Sequence, residues 1–325
     1  MFAICIESSH ARGLGHLYRS LTLADGLRGC GLPLHFLVND DPVALNLIRG
    51  HGHRVDVVNL GSDNNWEASW LLAHPSVKVW VNDRLDTSED HANRVKSCGV
   101  RLATFDDRGA GAAVADLHIA ALVFDDTGSL LGRRILSGVD YLVLDPKLAG
   151  LRRVRETASA WLVTMGGSDT WGVTPRIMDA LLSLGQGASV VLGPSFKHVA
   201  DVEAVQARSP SDFFTVHHRG VPSLADEMAR HDLAITGGGM TPFQANAMGL
   251  PCIVVANEHF EVPVGRALER LGGSVFAGFH QDLDLSVLHR RLQMAQMSQA
   301  GMRAVDLLGC DRVVKALRNL AEEGS

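Results

Sequence analysis

The sequence contains no CxxC pair, no apolar run long enough to cross a membrane and no surplus of basic charge. Each absence removes a class of function. The five cysteines, Cys5, Cys30, Cys98, Cys252 and Cys310, are scattered along 325 residues, which fits neither a disulfide framework nor a zinc knuckle and reads as reduced thiols. Lys and Arg number 30 against 36 Asp and Glu, a net charge of -6, so nothing in the composition would hold a nucleic-acid backbone and no nucleic-acid partner is expected. No segment approaches the ~18 uninterrupted apolar residues of a membrane helix. The apolar start, Phe2 to Ile6, is too short for a signal peptide and lacks its basic lead-in. The expectation is a cytoplasmic protein without an integral membrane segment. Short-period repeats and low-complexity tracts are also missing.

What remains is a globular α/β pattern. With 46% hydrophobic residues, 20% charged residues and 33 glycines, the chain has the composition of a folded protein rich in turns. Its length favours two domains of roughly 150 residues each. Strand-like and helical stretches alternate: Phe2–Ile6 then Arg19–Leu27, Pro33–Val38 then Asp41–Arg49, Arg54–Asn59, Val77–Asn82 then Glu89–Cys98, followed by Arg101–Phe105, Leu117–Ala120 and Tyr141–Leu144. The rhythm lapses in the charged stretch Asp145–Thr157 and restarts at Ala160–Met165, continuing through Pro175–Leu184, Ala188–Leu192, Leu233–Thr236, Pro251–Val255, Val262–Leu271 and Ser274–Ala277. Such alternation implies crossover units and mainly parallel, doubly wound sheets. Residues 1–150 are expected to form the first domain and 151–325 the second, with ligands at the carboxyl ends of the strands and the active site in a cleft between the domains.

The most informative stretch is Gly13-Leu14-Gly15-His16-Leu17-Tyr18-Arg19-Ser20. It follows a strand and opens a helix, which places free amides and a positive dipole end beside a bound group. His16 adds an imidazole able to accept a proton from water or an alcohol near neutral pH. Its bland alternative is a capping or core histidine on a tight turn. Arg19 lies one turn further on the same helical face and would hold a phosphate, order His16 or sit on the surface.

Two further glycine turns occur. Gly237-Gly238-Gly239 follows an apolar strand and precedes Thr241-Pro242, where the proline fits a first helical turn; unshielded amides and the Thr241 hydroxyl there would cradle a diphosphate. Gly166-Gly167-Ser168-Asp169 is the second, suited to close approach of a donor, although Ser168 or Asp169 would equally serve as a helix cap. After the strand Pro251–Val255, the loop Asn257-Glu258-His259-Phe260-Glu261 offers His259 and Glu261 to sugar or ribose hydroxyls, or is simply a solvated loop. Asp83 and the Asp106-Asp107 pair also end strands and would border a sugar or cap helices. Asp40-Asp41 and Asp125-Asp126 join no third ligand, so no metal is expected from them. His217-His218 reads as surface, and Trp66 and Trp70, four apart, as one packed helix face.

Taken in order, Gly-Leu-Gly-His16-Leu-Tyr-Arg19-Ser-Leu-Thr-Leu-Ala, Met165-Gly166-Gly167-Ser168-Asp169, and Gly237-Gly238-Gly239-Met-Thr241 with the later Met-Gly249-Leu-Pro251-Cys-Ile-Val-Val resemble the UDP-sugar hydrolase of pseudaminic acid biosynthesis and its spore-coat-polysaccharide relatives. These belong to the wider GT-B group that includes the UDP-N-acetylglucosamine transferase of peptidoglycan assembly. The resemblance implies two Rossmann-like domains facing across a cleft, a UDP-sugar as small-molecule partner, and His16 as the base that activates water. Gly166, Gly167, Ser168, Gly237, Gly238, Gly239 and Thr241 would bind the nucleotide diphosphate, and Gly13, Gly15, Arg19, Asp83, His259 and Glu261 the substrate. Helix ends and amides can stabilise a leaving diphosphate alone, so no cofactor or metal is implied.

The chain departs from that family at two places. A tyrosine usually follows shortly after the aspartate matched by Asp83, where this chain reads Asp83-Arg84-Leu85-Asp86, and an Asp-Asn-Gln triplet stands where His259-Phe260-Glu261 is found. Both fall where the sugar would be gripped. They motivate an alternative in which the same base acts on an acceptor hydroxyl of a glycan or flagellin-type protein, making the chain a glycosyltransferase. The sequence assigns no oligomeric state.

Overall fold

The structure, a computed structural model, describes residues 1–8, 15–61, 64–124, 127–218 and 220–323. Gly13 of the first glycine turn and the Asp125-Asp126 pair lie outside the described residues. The chain divides into two compact units. Unit 1 holds the described residues up to Asp145 together with those from Leu308 onward, and unit 2 comprises Pro146–Leu307.

In unit 1 the strands are β1 (Phe2–Ile6), β2 (Leu34–Val38), β3 (Val55–Val57), β4 (Val79–Asp83), β5 (Arg101–Phe105), β6 (Leu117–Ala120) and β7 (Ile135–Ser137). The helices α1 (Gly15–Gly29), α2 (Pro42–Gly50), α3 (Trp66–Ala73) and α4 (Glu89–Ser97) connect them. Among the described residues the sheet order is β3-β2-β1-β4-β5-β6-β7, and the pairs are parallel. All five residues of β1 are buried, as expected of a parallel strand covered on both faces. One face packs Phe2, Ile4 and Phe36 against Leu21 and Leu27 of α1 and Ile48 of α2. The other gathers Leu37, Trp80, Ala92 and Val95, with Trp66 and Trp70 of α3 against them. The two tryptophans stand 5.7 and 5.9 Å from Trp80, ring centre to ring centre, the packing role that their spacing implies.

Unit 2 repeats the plan. Its strands β8 (Trp161–Thr164), β9 (Ala188–Val191), β10 (Phe214–His217), β11 (Leu233–Gly237), β12 (Cys252–Ala256) and β13 (Ser274–Phe279) alternate with α5 (Val173–Leu184), α6 (Val199–Ala207), α7 (Leu224–Ala229), α8 (Thr241–Ala247), α9 (Glu261–Arg270) and α10 (Met294–Ala304). The order among the described residues is β10-β9-β8-β11-β12-β13. Each sheet therefore reverses its winding once, between β1 and β4 in unit 1 and between β8 and β11 in unit 2. Such switch points open a crevice at the carboxyl ends of the strands. The His16 block leaves β1, and the two glycine turns of unit 2 leave β8 and β11.

Two expectations are corrected. The second unit does not run to residue 325: α11 (Gly309–Glu322) returns to unit 1, because Cys310, Val313, Leu317 and Leu320 form an apolar stripe that completes the core over α1. The strand expected at Tyr141–Leu144 is a 3₁₀ turn, Val139–Tyr141, followed by buried residues that join no strand; Val143 packs in the core that α11 covers, and β7 forms the sheet edge instead. The charged stretch that follows Asp145 is clamped to unit 2. Arg152 donates to the carbonyls of Ala247 and Val305, each at 2.8 Å, and Arg153 to that of His231 at 2.8 Å.

Arg155 is fully buried and its guanidinium donates to the main-chain carbonyls of His231 at 3.3 Å, Arg153 at 2.9 Å, Met228 at 3.4 Å and Met248. Met228, His231 and Met248 lie at the carboxyl ends of α7 and α8, where carbonyls lack helical partners. Burial, with Arg153 nearby, lowers the Arg155 pKa to about 10. Replacing it by leucine strands those carbonyls without donors, so Arg155→Leu should destabilise the protein by about 1–3 kcal/mol, read as a lower urea midpoint. An unchanged midpoint would show that the carbonyls find other donors.

Candidate active site

His16 is the second residue of α1 and Arg19 the fifth, so both project from the same face of the first turn. Asp83 ends β4, directly beside Ile6 of β1. The switch point thus brings the α1 terminus and the β4 carboxylate together. His16 Nδ1 lies 2.6 Å from Asp83 Oδ1. Arg19 donates through Nε to Asp83 Oδ2 at 3.0 Å and through Nη2 to Asp83 Oδ1, while Ser20 Oγ donates to Asp83 Oδ2 at 2.9 Å. Its remaining nitrogen, Nη1, donates to Asp106 Oδ2. Asp106, at positive φ (44°) just beyond β5, also accepts from the Leu122 amide at 2.7 Å.

The electrostatics fix how the imidazole is protonated. Burial opposes ionisation of Asp83, but the Arg19 guanidinium and the His16 contact outweigh it and hold its pKa well below the ordinary carboxylate range. Arg19 is in turn pushed upward: desolvation opposes its charge, and Asp83 and Asp106 overcome that. A permanently ionised carboxylate only accepts, so at 2.6 Å His16 Nδ1 carries the proton and donates it. In the neutral ring Nε2 then keeps its lone pair, and among the described residues nothing donates to it. The 3.0 Å approach of Arg19 Nη2 to His16 Nδ1 then reflects two donors sharing Asp83 Oδ1. The His16 side chain is 20% exposed against 1% for Asp83, so the ring is reachable and its partner is not. A ring held in this way is able to act as a general base.

In unit 2 the Gly237–Gly239 turn closes tightly. A Cβ on Gly238 would lie 2.7 Å from Glu261 Cβ, so the turn can meet α9 only with glycine there. Glu261 Oε2 accepts from the amides of Asn257 at 2.7 Å and Glu258 at 3.4 Å; burial raises its pKa, while these amides and that of Gly238 oppose the rise. Gly239 is different: an added Cβ would meet nothing within 4 Å. Among the described residues the amides of Gly239, Met240 and Thr241 donate to no acceptor. Beside the turn, Thr236 Oγ1 and Asn257 Oδ1 are buried without a partner among the described residues.

The Gly166–Asp169 turn carries Gly166 at φ 87°. Asp169 caps α5 from outside, accepting from the Val173 amide at 2.8 Å and the Thr174 amide at 2.7 Å. Ser168 Oγ pairs with Thr170 Oγ1 at 3.2 Å. Gly193, after β9, closes in from below: a Cβ there would lie 2.2 and 2.3 Å from the carbonyls of Gly166 and Gly167. His259 stacks on Phe279 at 4.4 Å, and Trp171 on His280 at 4.5 Å.

The expected residues thus separate by unit. His16, Arg19 and Asp83 meet in unit 1, with Gly15 opening the helix; Gly166, Gly167, Ser168, Gly237, Gly238, Gly239, Thr241, His259 and Glu261 stand at strand ends of unit 2. Two of the expected substrate contacts are engaged within the protein. Arg19, 4% exposed, and Asp83, 1% exposed, direct their polar atoms at each other, at His16 and at Asp106, and so hold the imidazole, the ordering role that was one of the readings of Arg19. Glu261 braces the glycine turn through main-chain amides. Asp41 caps α2 by accepting from the amides of Val43 and Ala44. Sequence reasoning gave Ser20 no role, although it sits inside the motif, and missed Gly193, whose Gly-Pro pair after a strand was the available signal.

No protein-family model matches the chain. It is 28% identical over 274 residues to the uncharacterized protein MJ1062 of Methanocaldococcus jannaschii, a match taking in 78% of this chain and 55% of that protein; the chain thus spans about half the length of that relative. It is 21% identical over 340 residues to the spore coat polysaccharide biosynthesis protein SpsG of Bacillus subtilis, covering 98% of each. The crystal structure of Acinetobacter baumannii MurG superposes with a TM-score of 0.71 at 13% identity, over 98% of this chain and 99% of that one. The chain has the GT-B fold. Glycosyltransferases recur among the other solved structures that superpose on it. Among the described residues no helix is long and apolar enough to cross a membrane.

The depressed Asp83 pKa has a stability consequence with a definite sign. The unfolded chain binds this proton near the ordinary carboxylate value of about 4 and the folded chain only well below it, so the stabilisation is complete above about pH 4 and is lost as the pH falls further. Between about pH 5 and pH 3 the urea midpoint of the wild type should fall more steeply than that of Asp83→Asn. Parallel slopes would show that the pair contributes nothing to the acid limb.

Proposed function

We propose that the chain is an enzyme that transfers a sugar from a nucleotide donor, UDP by resemblance, to an acceptor hydroxyl. The observation that carries this reading is His16, oriented through Nδ1 by a buried carboxylate with Nε2 left to accept. In the proposed step His16 Nε2 takes the proton of the attacking O–H and the oxygen bonds to the anomeric carbon. The bond from that carbon to the diphosphate oxygen breaks, and the nucleotide diphosphate leaves with the electron pair. Its charge is met by the amides of Gly239, Met240 and Thr241, the Thr241 hydroxyl and the Gly166-Gly167-Ser168 turn. The unpartnered Thr236 Oγ1 and Asn257 Oδ1 and the exposed His259 add polar groups for the rest of the donor. Arg19, Asp83 and Ser20 hold the base in place.

A specific observation favours an acceptor over water. Unit 1 carries a cleft of about 420 Å³ at the carboxyl ends of β1, β2 and β3, lined by Glu7, Ser8, Asn39, Asp40, Val57 and Asn59 among others. Its lining mixes apolar groups with polar ones, Ser8 and Asn39 being bonded to each other, and leaves room for a hydroxyl-bearing molecule. SpsG belongs to spore coat polysaccharide biosynthesis, and a polysaccharide or glycan precursor is an acceptor of that kind. The second reading, hydrolysis of a UDP-linked diacetamido-trideoxy sugar of a pseudaminic acid or related pathway, rests on the Gly13–Ser20 and Gly166 blocks and uses the same base on water.

Following nucleotide release from a panel of UDP- and CMP-sugars separates the two. Transfer predicts slow release that acceptor glycans accelerate at least about tenfold; release at full rate without any acceptor overturns it in favour of hydrolysis, and no release from any donor overturns both. On the active donor His16→Asn should lower kcat by about 10²–10⁴-fold, the usual worth of a general base. Asp83→Asn should cause a loss of the same order, since the amide can no longer fix the tautomer. Unchanged turnover in His16→Asn would remove the base assignment.

A further inference from the structure

A second constellation in unit 1 is independent of the candidate active site. His35 on β2, Asp56 on β3 and His74, which caps the end of α3, each bring one donor atom within 4.8 Å of the other two. His35 pairs in register with Ala3, whereas the Asp83 carboxylate sits level with Ile6. At about 3.3 Å per residue the two places stand roughly 10 Å apart along the sheet, with His35 toward the amino ends of the strands.

The hydrogen-bonding pattern here is that of metal ligands. His35 is 8% exposed, and its Nε2 is buried without a hydrogen-bond partner among the described residues. Asp56 Oδ2 lies only 3.0 Å from it, a distance that suits an ion pair, yet the approach is off the direction a hydrogen bond needs. A buried ring nitrogen that no hydrogen bond terminates is what a transition metal takes. His74 Nδ1 lies 2.8 Å from the Trp70 carbonyl, which can only accept, so Nδ1 carries the proton and Nε2 the lone pair. Trp70 Nε1 also donates to Asp56 Oδ2 at 2.7 Å, and its ring stacks on His74 at 3.9 Å. One tryptophan thus orients two of the three groups, as outer partners of metal ligands do.

We propose that His35, Asp56 and His74 form a binding site for a zinc-like divalent transition metal, remote from the chemistry and joining β2, β3 and the end of α3. Two imidazoles and one carboxylate are borderline ligands of the kind zinc prefers, with the fourth position left to water. Ligand atoms around a tetrahedral zinc stand roughly 3.3 Å apart, so the His35–Asp56 spacing already fits and His74 needs only a small shift. The other His/Asp group, Asp25, His51 and His53, is less suited: Arg28 Nη2 donates to Asp25 Oδ1 at 2.6 Å, so a cation already occupies that carboxylate.

The test uses the tag-free full chain, stripped with EDTA and titrated with zinc chloride by calorimetry, with cobalt(II) absorption as a second readout. One zinc per chain is expected, with a visible cobalt band of tetrahedral intensity. Asp56→Asn and His74→Gln, both at half-exposed positions that tolerate substitution, should each weaken binding at least about tenfold, a loss that outer partners alone can cause. His51→Gln should change nothing. Failure to bind one equivalent, binding unaltered in both variants, or binding lost in His51→Gln overturns the proposal. None of these outcomes bears on sugar transfer, since no catalytic residue is altered.

Discussion

A buried guanidinium between two carboxylates underlies the candidate active site. Arg19 comes from α1, Asp83 from the end of β4 and Asp106 from the bend after β5, so one cation ties the helix to two strands at the point where the sheet reverses. Desolvating three charges is costly, and such a cluster persists only where each charge is paired and its other hydrogen bonds are made. Here they are: Ser20 and His16 complete Asp83, and the Leu122 amide completes Asp106. The imidazole is the one partly exposed member, so the cluster's energy is converted into a fixed ring orientation at the surface.

The two units present their polar groups differently. Unit 1 offers charged side chains that hold one another. Unit 2 offers main-chain amides in turns where side chains are sterically excluded, at Gly238 by Glu261 and above Gly193 by the Gly166–Gly167 carbonyls. Amides of Gly239, Met240 and Thr241 without internal acceptors are a fixed dipole array that needs no reorganisation when negative charge arrives.

Much of this was legible along the chain. Strand and helix alternation gave both sheets, since apolar runs of four or five residues with glycine turns have few other solutions, and His16 stood out because a strand, a glycine turn and an imidazole rarely coincide without purpose. Partner choice was not legible. Arg19 could face a phosphate or a carboxylate, and only the return of β4 to the side of β1 put Asp83 within its reach. The same holds for Arg155, one charge among several in the stretch where the alternation lapses, which is enclosed by helix-end carbonyls. His35 and His74, 39 positions apart by number, gave no spacing signal because a sheet pairing and a helix end bring them together.

By itself the sequence determined the local elements, the α/β class and the positions of the glycine turns, because periodicity, turn chemistry and steric permission act over a few neighbouring residues. Tertiary structure alone decided which charges pair, which unit receives α11 and which glycines face a backbone too close for a Cβ. Those outcomes depend on strand order, and strand order brings together residues whose separation along the chain carries no record of it.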